Sequence, residues 1–221
     1  MKQLTAIIPM KGHSRRIPGK NMRSFNGKPL YHWILDTLSY VESVKKIIID
    51  TDSQSIAQKV KNYPGVEISM RPETLRGDFV SVNRLIEYIL SLYPNEKYFI
   101  QTHVTNPLLK VGTLNGAIDL FMDSLEYDSL FSVTAHYARF YISGNAPVNH
   151  NPRELLRTQD LEPLLEENSC FYLFSRDSFQ KVGARIGKQP YLYKMDKLEA
   201  VDIDEEEDFI LAEVLMKYIR G

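Results

Sequence analysis

Short apolar runs alternate along the chain with stretches whose apolar residues recur at helical spacing, the pattern of a mostly parallel sheet with helices on its faces. The runs Leu4 to Pro9, Lys46 to Asp50, Val66 to Met70, Tyr98 to Thr102, Ser129 to Thr134 and Ser169 to Phe174 predict strands. Helices are expected to begin near Pro29, Ser53, Ser81, Gly112 and Glu205. In such a sheet ligands bind in the crevice beyond the carboxyl ends of the strands. The residues to watch should therefore follow strands, as Lys11 to Lys28, Thr51-Asp52 and Thr105-Asn106-Pro107 do. No internal repeat or low-complexity segment interrupts the alternation.

One region breaks it. From Tyr137 to Glu167 aromatics mix with Gly144, Asn145, Pro147, Asn149, Asn151, Pro152 and Pro163, with little sustained period. An irregular insertion inside a compact domain is a functional flap, a partner-binding arm or a flexible loop. Leu155, Leu156, Leu161, Leu164 and Leu165 need burial, which favours an arm between two protomers. Residues 1–221 otherwise suit one domain with a large core.

Composition excludes little. The chain is 43% hydrophobic and 25% charged with a formal net charge of -1, near the average for globular proteins and without the basic balance of a nucleic-acid binder. Cys170 is alone, so no internal disulfide forms, and a reducing cytoplasm is the expected compartment. The stretch Met1 to Pro9 lacks the apolar core and cleavage site of a signal peptide and reads as a strand. No apolar stretch approaches the ~20 residues of a membrane span.

Charge matters at two places. The loop Met10 to Lys28 holds six basic residues and no acid. Gly12 and Gly19 allow close backbone approach, and Lys11, Arg15 and Lys20 can reach several phosphate oxygens with charge-assisted bonds. A solvated basic loop is the plain alternative, against which stand the glycines and Pro18 interleaved with the charges. The spacing is not that of the ATPase P-loop, because six residues separate Gly12 from Gly19 and Asn21 stands where that motif needs a hydroxyl. Near the other end, Val201 to Asp208 contains six acids and no base. Asp202 and Asp204 alternate across Ile203, placing two carboxylates on one side of an extended segment, as a hard cation such as Mg²⁺ or Mn²⁺ requires. Glu205 to Asp208 are expected in the first turn of a helix, where acids suit its dipole as surface charge. Together the clusters suit a magnesium-nucleotide complex, with catalysis by positioning and electrostatics.

Ile7-Ile8-Pro9 followed by Lys11-Gly12-His13-Ser14-Arg15, Ile17-Pro18-Gly19-Lys20-Asn21 and Gly27-Lys28-Pro29-Leu30 resembles the nucleotide-binding signature of the acylneuraminate cytidylyltransferases, the CMP-sialic acid synthetase family. Thr51-Asp52 with Ile56-Ala57, Arg71-Pro72-Glu73 with Leu75 and Asp78, Gln101 with Thr105-Asn106-Pro107-Leu108, and Asp202-Ile203-Asp204 with Asp208 continue the match in order. The resemblance implies a three-layer α/β/α nucleotide-diphospho-sugar transferase fold, Rossmann-like, with a mixed, mainly parallel sheet, in a homodimer. It implies that an acidic sugar attacks the α-phosphorus of CTP and releases pyrophosphate. Carried over by position, Lys20 contacts the α-phosphate and stabilises charge in the transition state, and Asp202 and Asp204 bind Mg²⁺. Met10, Lys11, Gly12, Ser14, Arg15, Asn21, Arg71, Asp78, Ser81 and Gln101 surround the nucleotide. Gln101, Thr105, Asn106, Arg157, Asn168 and Tyr172 are implied around the sugar.

Three departures set the chain apart from the family pattern, the last two bearing on the acceptor. Lys11 replaces the family's usual arginine, and the Gln101 to Pro107 loop is two residues longer. Glu166 lies where an arginine often precedes an Asn-Gly pair, leaving Arg157 or Arg139 to supply the charge. A carboxylate facing a carboxylate predicts that N-acetylneuraminic acid is a poor acceptor. A phosphorylated or phosphonate acceptor therefore stays open, as does a nucleotide-binding regulator without catalysis, which Lys20, Asp202 and Asp204 together argue against. His13, His32, His103, His136 and His150 show no metal-ligand spacing, with His103 notable for following Gln101. Ser14 has no paired histidine and acid for a hydrolase triad, and Cys170 reads as core.

Overall fold

The computed structural model describes residues 3–220; Met1 and Lys2 of the N-terminal stretch lie outside them. In chain order the strands are β1 (Leu4–Met10), the short pair β2 (Ser24–Phe25) and β3 (Lys28–Pro29), β4 (Val44–Thr51), β5 (Val66–Met70), β6 (Tyr98–Thr102), β7 (Ser129–His136), the short pair β8 (Tyr141–Ile142) and β9 (Ala146–Pro147), β10 (Leu164–Ser175) and β11 (Pro190–Lys194). The helices are α1 (Leu30–Ser39), α2 (Gln54–Val60), α3 (Val82–Leu92), α4 (Val111–Asp123), α5 (Arg176–Val182) and α6 (Glu206–Arg220). Seven strands form one sheet in the order β11-β7-β10-β6-β1-β4-β5, and β10 runs antiparallel to both neighbours in an otherwise parallel sheet.

Strand periodicity builds the layers. In β1, Leu4, Ala6, Ile8 and Met10 enter the larger core with Ile34 and Leu38 of α1, Leu114 and Phe121 of α4, and Phe209 of α6. Ile7 points the other way and joins Ile48, Phe99 and Phe174 against Ile86, Ile89 and Leu90 of α3 and Phe179 of α5. Burial on both faces explains why the parallel strands read as continuous apolar runs. Three helices start where hydroxyls predict: Ser53, Ser81 and Ser175 side chains accept from the backbone N–H of Ile56, Arg84 and Ser178.

Residues 137–163 form the irregular insertion, carrying the β8-β9 pair and one 3-10 turn at Thr158–Asp160. The sheet resumes at Leu164, five residues before the expected Ser169, because the pairing with β7 is interrupted by an irregularity between Glu167 and Tyr172. There Ser169 adopts a φ of 59°, a left-handed conformation, at the position where the resemblance expects glycine. Of the leucines that called for burial, Leu161 is buried within the chain, whereas Leu155, Leu156 and Leu165 are exposed, as are Tyr141 and Ile142. Among the described residues no helix is long and apolar enough to cross a membrane.

Candidate active site

The basic loop leaves the carboxyl end of β1 and is fixed at its middle by Ile17, which is buried in the core. Gly12 donates its backbone N–H to Asp52 Oδ1 at 2.6 Å. A Cβ at Gly12 would lie 2.7 Å from that of Ser53, so the close approach of loop to α2 requires glycine. Ser14 Oγ accepts from the N–H of Ile17 at 3.3 Å, and Asn21 Nδ2 donates to the carbonyl of Lys11 at 3.1 Å. Gly19 turns the chain in the left-handed region into a single 3-10 turn, Lys20–Met22. Serine and asparagine thus shape the loop, and the more exposed cations Lys11 and Arg15 are left to line the space beside it.

A cavity of about 440 Å³ opens beside it, lined by Lys11, Ser14, Arg15, Lys20 and Asn21, by Arg71 and Asp78, and by His103. The Asp78 carboxylate lies among the loop's cations, in contact with Lys11, 2.5 Å from Arg15 and 3.3 Å from His13. The bond from Lys11, with Arg15 and His13 nearby, holds that carboxyl below its ordinary pKa. Arg71 is buried and bonds Asp50 at 2.6 Å. Burial nevertheless pushes the Asp50 carboxyl up to about 6 against the pull of Arg71. Met10 is wholly buried in the core, and Ser81 serves as the cap of α3.

The acidic segment, from the far end of the chain, meets two of the cavity's lining residues, Lys20 and Arg16. Lys20, 12% exposed, donates to the carbonyl of Ile203 at 2.6 Å and lies 3.6 Å from Asp204 Oδ1, which also takes Arg16 at 2.6 Å. Thr105 accepts the backbone N–H of Ile203 at 2.9 Å, and its side chain bonds Asp202. Burial, reinforced by Asp204, raises the Asp202 carboxyl. Asp202 Oδ1 and Asn106 Oδ1 are buried without a hydrogen-bond partner among the described residues. Asp208 Oδ2 accepts the backbone N–H of Asp204 and Glu205, and Glu206 pairs with Arg23, so these later acids cap and brace α6.

On the opposite wall, Gln101 and Tyr172 are register partners on β6 and β10, both fully buried. The Tyr172 hydroxyl donates to Glu167 at 2.5 Å and accepts from the Ser169 hydroxyl at 3.1 Å, and burial raises it to about 12. Gln101 Nε2 is 2.9 Å from His103, whose imidazole is lowered to about 4 by burial and by the nearby charges of Arg185 and Lys20. Gln101 Oε1 accepts from Arg185. Arg185 escaped sequence reasoning: it stands in no motif, 84 residues from Gln101, and only the packing of α5 brings it in.

Other residues expected around the acceptor have partners outside this cluster. Asn168 spends its amide on Ser132 at 2.6 Å and Thr134 at 3.0 Å, bridging two strands. Arg157 pairs with Asp160 on the exposed insertion, and Arg139 bonds the carbonyl of Leu156. Glu166 turns to His136 at 2.6 Å, because neighbours on a strand face opposite ways and Glu167 takes the side of Tyr172. The like-charge argument built on Glu166 therefore attaches to Glu167, beside which Arg185 lies at 3.6 Å.

A family model described as cytidylyltransferase matches residues 5–219. The N-acylneuraminate cytidylyltransferase of Streptococcus agalactiae serotype V is 27% identical over 212 residues, covering 92% of this chain and 51% of that protein. This chain thus spans about half the length of the first curated relatives it matches. The post-translational flagellin modification protein B of Campylobacter coli is 23% identical over 228 residues, covering 98% and 96%. Among solved structures, a CMP:2-keto-3-deoxy-manno-octonic acid synthetase complexed with CTP superposes with a TM-score of 0.71 at 15% identity, covering 99% of this chain and 100% of that one.

Proposed function

Because the chain belongs to the cytidylyltransferase family, we propose that it couples CTP to an acidic sugar, a nonulosonic acid or related keto sugar, giving a CMP-sugar and pyrophosphate. The observation that carries this reading is Lys20, nearly buried where the basic loop meets the Asp202–Asp204 segment. The sugar hydroxyl attacks the α-phosphorus, the bond to the β-phosphate oxygen breaks, and pyrophosphate leaves. The Lys20 ammonium meets the charge that grows on the α-phosphate in the transition state. Lys11 and Arg15 exchange Asp78 for the phosphate tail, and Arg71 borders the nucleotide from the far wall of the cavity.

The residues fit a hard cation. The orphaned Asp202 Oδ1 and the neighbouring Asp204 are oxygen donors. Mg²⁺ is commonly held by one or two carboxylates with phosphates and water, and these two would be its protein ligands. When bound, Mg²⁺ would neutralise phosphate charge. The insertion serves as the contact between two protomers, since Tyr141, Ile142, Leu155 and Leu156 are exposed in one chain. Pyrophosphate release from CTP, measured with Mg²⁺ across acidic sugars and phosphorylated acceptors, tests the activity. Release with CTP and an acidic sugar is expected; none with any acceptor would overturn it.

A further inference from the structure

Helix α5 ends at Gly183 in the left-handed region, and two residues on the backbone N–H of Arg185 donates to Asn83 of α3 at 3.2 Å. From there the side chain crosses the face of Tyr172, its guanidinium carbon 3.4 Å from the ring centroid, and reaches Gln101. The aromatic bed and the amide fix the plane of the guanidinium, which is only 16% exposed.

The charge so placed is poorly compensated. Of its five N–H donors, one reaches the neutral Gln101 carbonyl. Its nearest carboxylate, Glu167, is 3.6 Å away, beyond hydrogen-bond reach, with that oxygen already accepting from Tyr172. A part-desolvated guanidinium with spare donors suits an anion with two or three oxygens, which it can grip in a fork. Gln101 bonds His103, a wall of the nucleotide cavity, so Arg185 lies two side chains from the donor site, a spacing suited to the second substrate.

We propose that Arg185 binds the anionic group of the acceptor, its carboxylate or phosphate, and so sets which acceptors react. This rests on the cytidylyl transfer proposed above. Glu167 balances the arginine while the site is empty and loses that role as the acceptor's anion arrives.

The test compares wild type, R185K, R185Q and E167Q in the full chain with CTP and Mg²⁺. The acceptors are N-acetylneuraminic acid, 2-keto-3-deoxy-manno-octonic acid, 2-C-methylerythritol 4-phosphate and the neutral N-acetylmannosamine. Wild type should use an anionic acceptor, and whether a carboxylated or the phosphorylated compound is turned over identifies the group bound. R185Q should raise KM for it on the order of thirtyfold, the scale of removing one partner from a desolvated charge pair. R185K should raise it about tenfold, having charge without the fork, while KM for CTP stays within about threefold in both, since Arg185 reaches the nucleotide cavity only through Gln101 and His103. E167Q should lower acceptor KM a few-fold by removing a competing carboxylate. An acceptor KM unchanged in R185Q, an equal rise for CTP and acceptor, or preference for the neutral sugar overturns the assignment. Should R185Q not fold, R185K and E167Q decide: an acceptor KM unmoved in either overturns it. No pyrophosphate with any acceptor, despite CTP binding by calorimetry, overturns cytidylyl transfer itself.

Discussion

The two walls of the cleft handle charge in opposite ways. On the loop side Lys11 and Arg15 are open to solvent, several to one carboxylate, and can re-aim when a polyphosphate arrives. On the sheet side a single arginine is laid on an aromatic ring and tied to a buried glutamine. Solvated, mobile cations grip a highly charged ligand with little demand on its shape, whereas one pre-aimed, part-desolvated cation rewards a particular geometry. Donor binding should therefore be governed by summed charge, and acceptor choice by one contact.

The largest effect is expected from Lys20→Ala, which should cut kcat on the order of a hundredfold with a smaller change in CTP affinity. A rate within about threefold of wild type in steady-state assays, well short of that scale, would remove Lys20 from the transition state. Next comes Asp204→Asn, which should raise the Mg²⁺ concentration needed for half-maximal rate about tenfold, with wild-type turnover abolished by EDTA. Full activity after exhaustive chelation would sink the metal site.

A smaller change should follow from Asp78→Asn. The carboxylate occupies the loop's cations, so its removal should tighten CTP binding a few-fold, the scale of exposed ion pairs. Weaker binding by calorimetry would instead make Asp78 a ligand of the nucleotide. His103 sharpens the contrast through pH. Its imidazole falls from 6.5 to about 4 in the folded chain, so the unfolded chain binds the extra proton first. Stability should be complete above pH 6.5 and fall as pH drops towards about 4, at no more than about 1.4 kcal/mol per unit. Urea unfolding of wild type and His103→Asn at pH 7 and pH 5 reads this, and equal losses in both would discard it. Smallest of all, Ser169→Gly relieves a left-handed backbone but loses a partner of Tyr172. The midpoint of thermal unfolding should shift by a few degrees or less, within about 1 kcal/mol.

The loop side was far more legible in the sequence than the sheet side. Lys11 to Asn21 are contiguous and follow a strand, so their grouping survives in one dimension, and the six strands read from apolar runs all occur. The seventh, β11, is five half-exposed residues at the sheet edge, too short for a period to show. Helix α5 was also passed over, although Ser175 before it and Gly183 after it are ordinary helix boundaries, because seven residues give less than two full turns of pattern. Arg185 depends on both: it follows the unread helix and leads towards the unread strand. Which of Glu166 and Glu167 shares the side of Tyr172 is not legible in the sequence, because strand alternation cannot be phased until the irregularity at Ser169 is seen.

The contact between Arg16 and Asp204 joins residues 188 positions apart. Such a closure forms late, since loop entropy must be met before distant contacts reward it. During synthesis Arg16 and Lys20 stand without their acidic counterpart until residue 204 has been made and docked. A folding intermediate that already has β1, β4 and β6 paired would hold polyphosphate loosely and could not yet position it for reaction, so catalytic competence would arrive as one of the last events of folding.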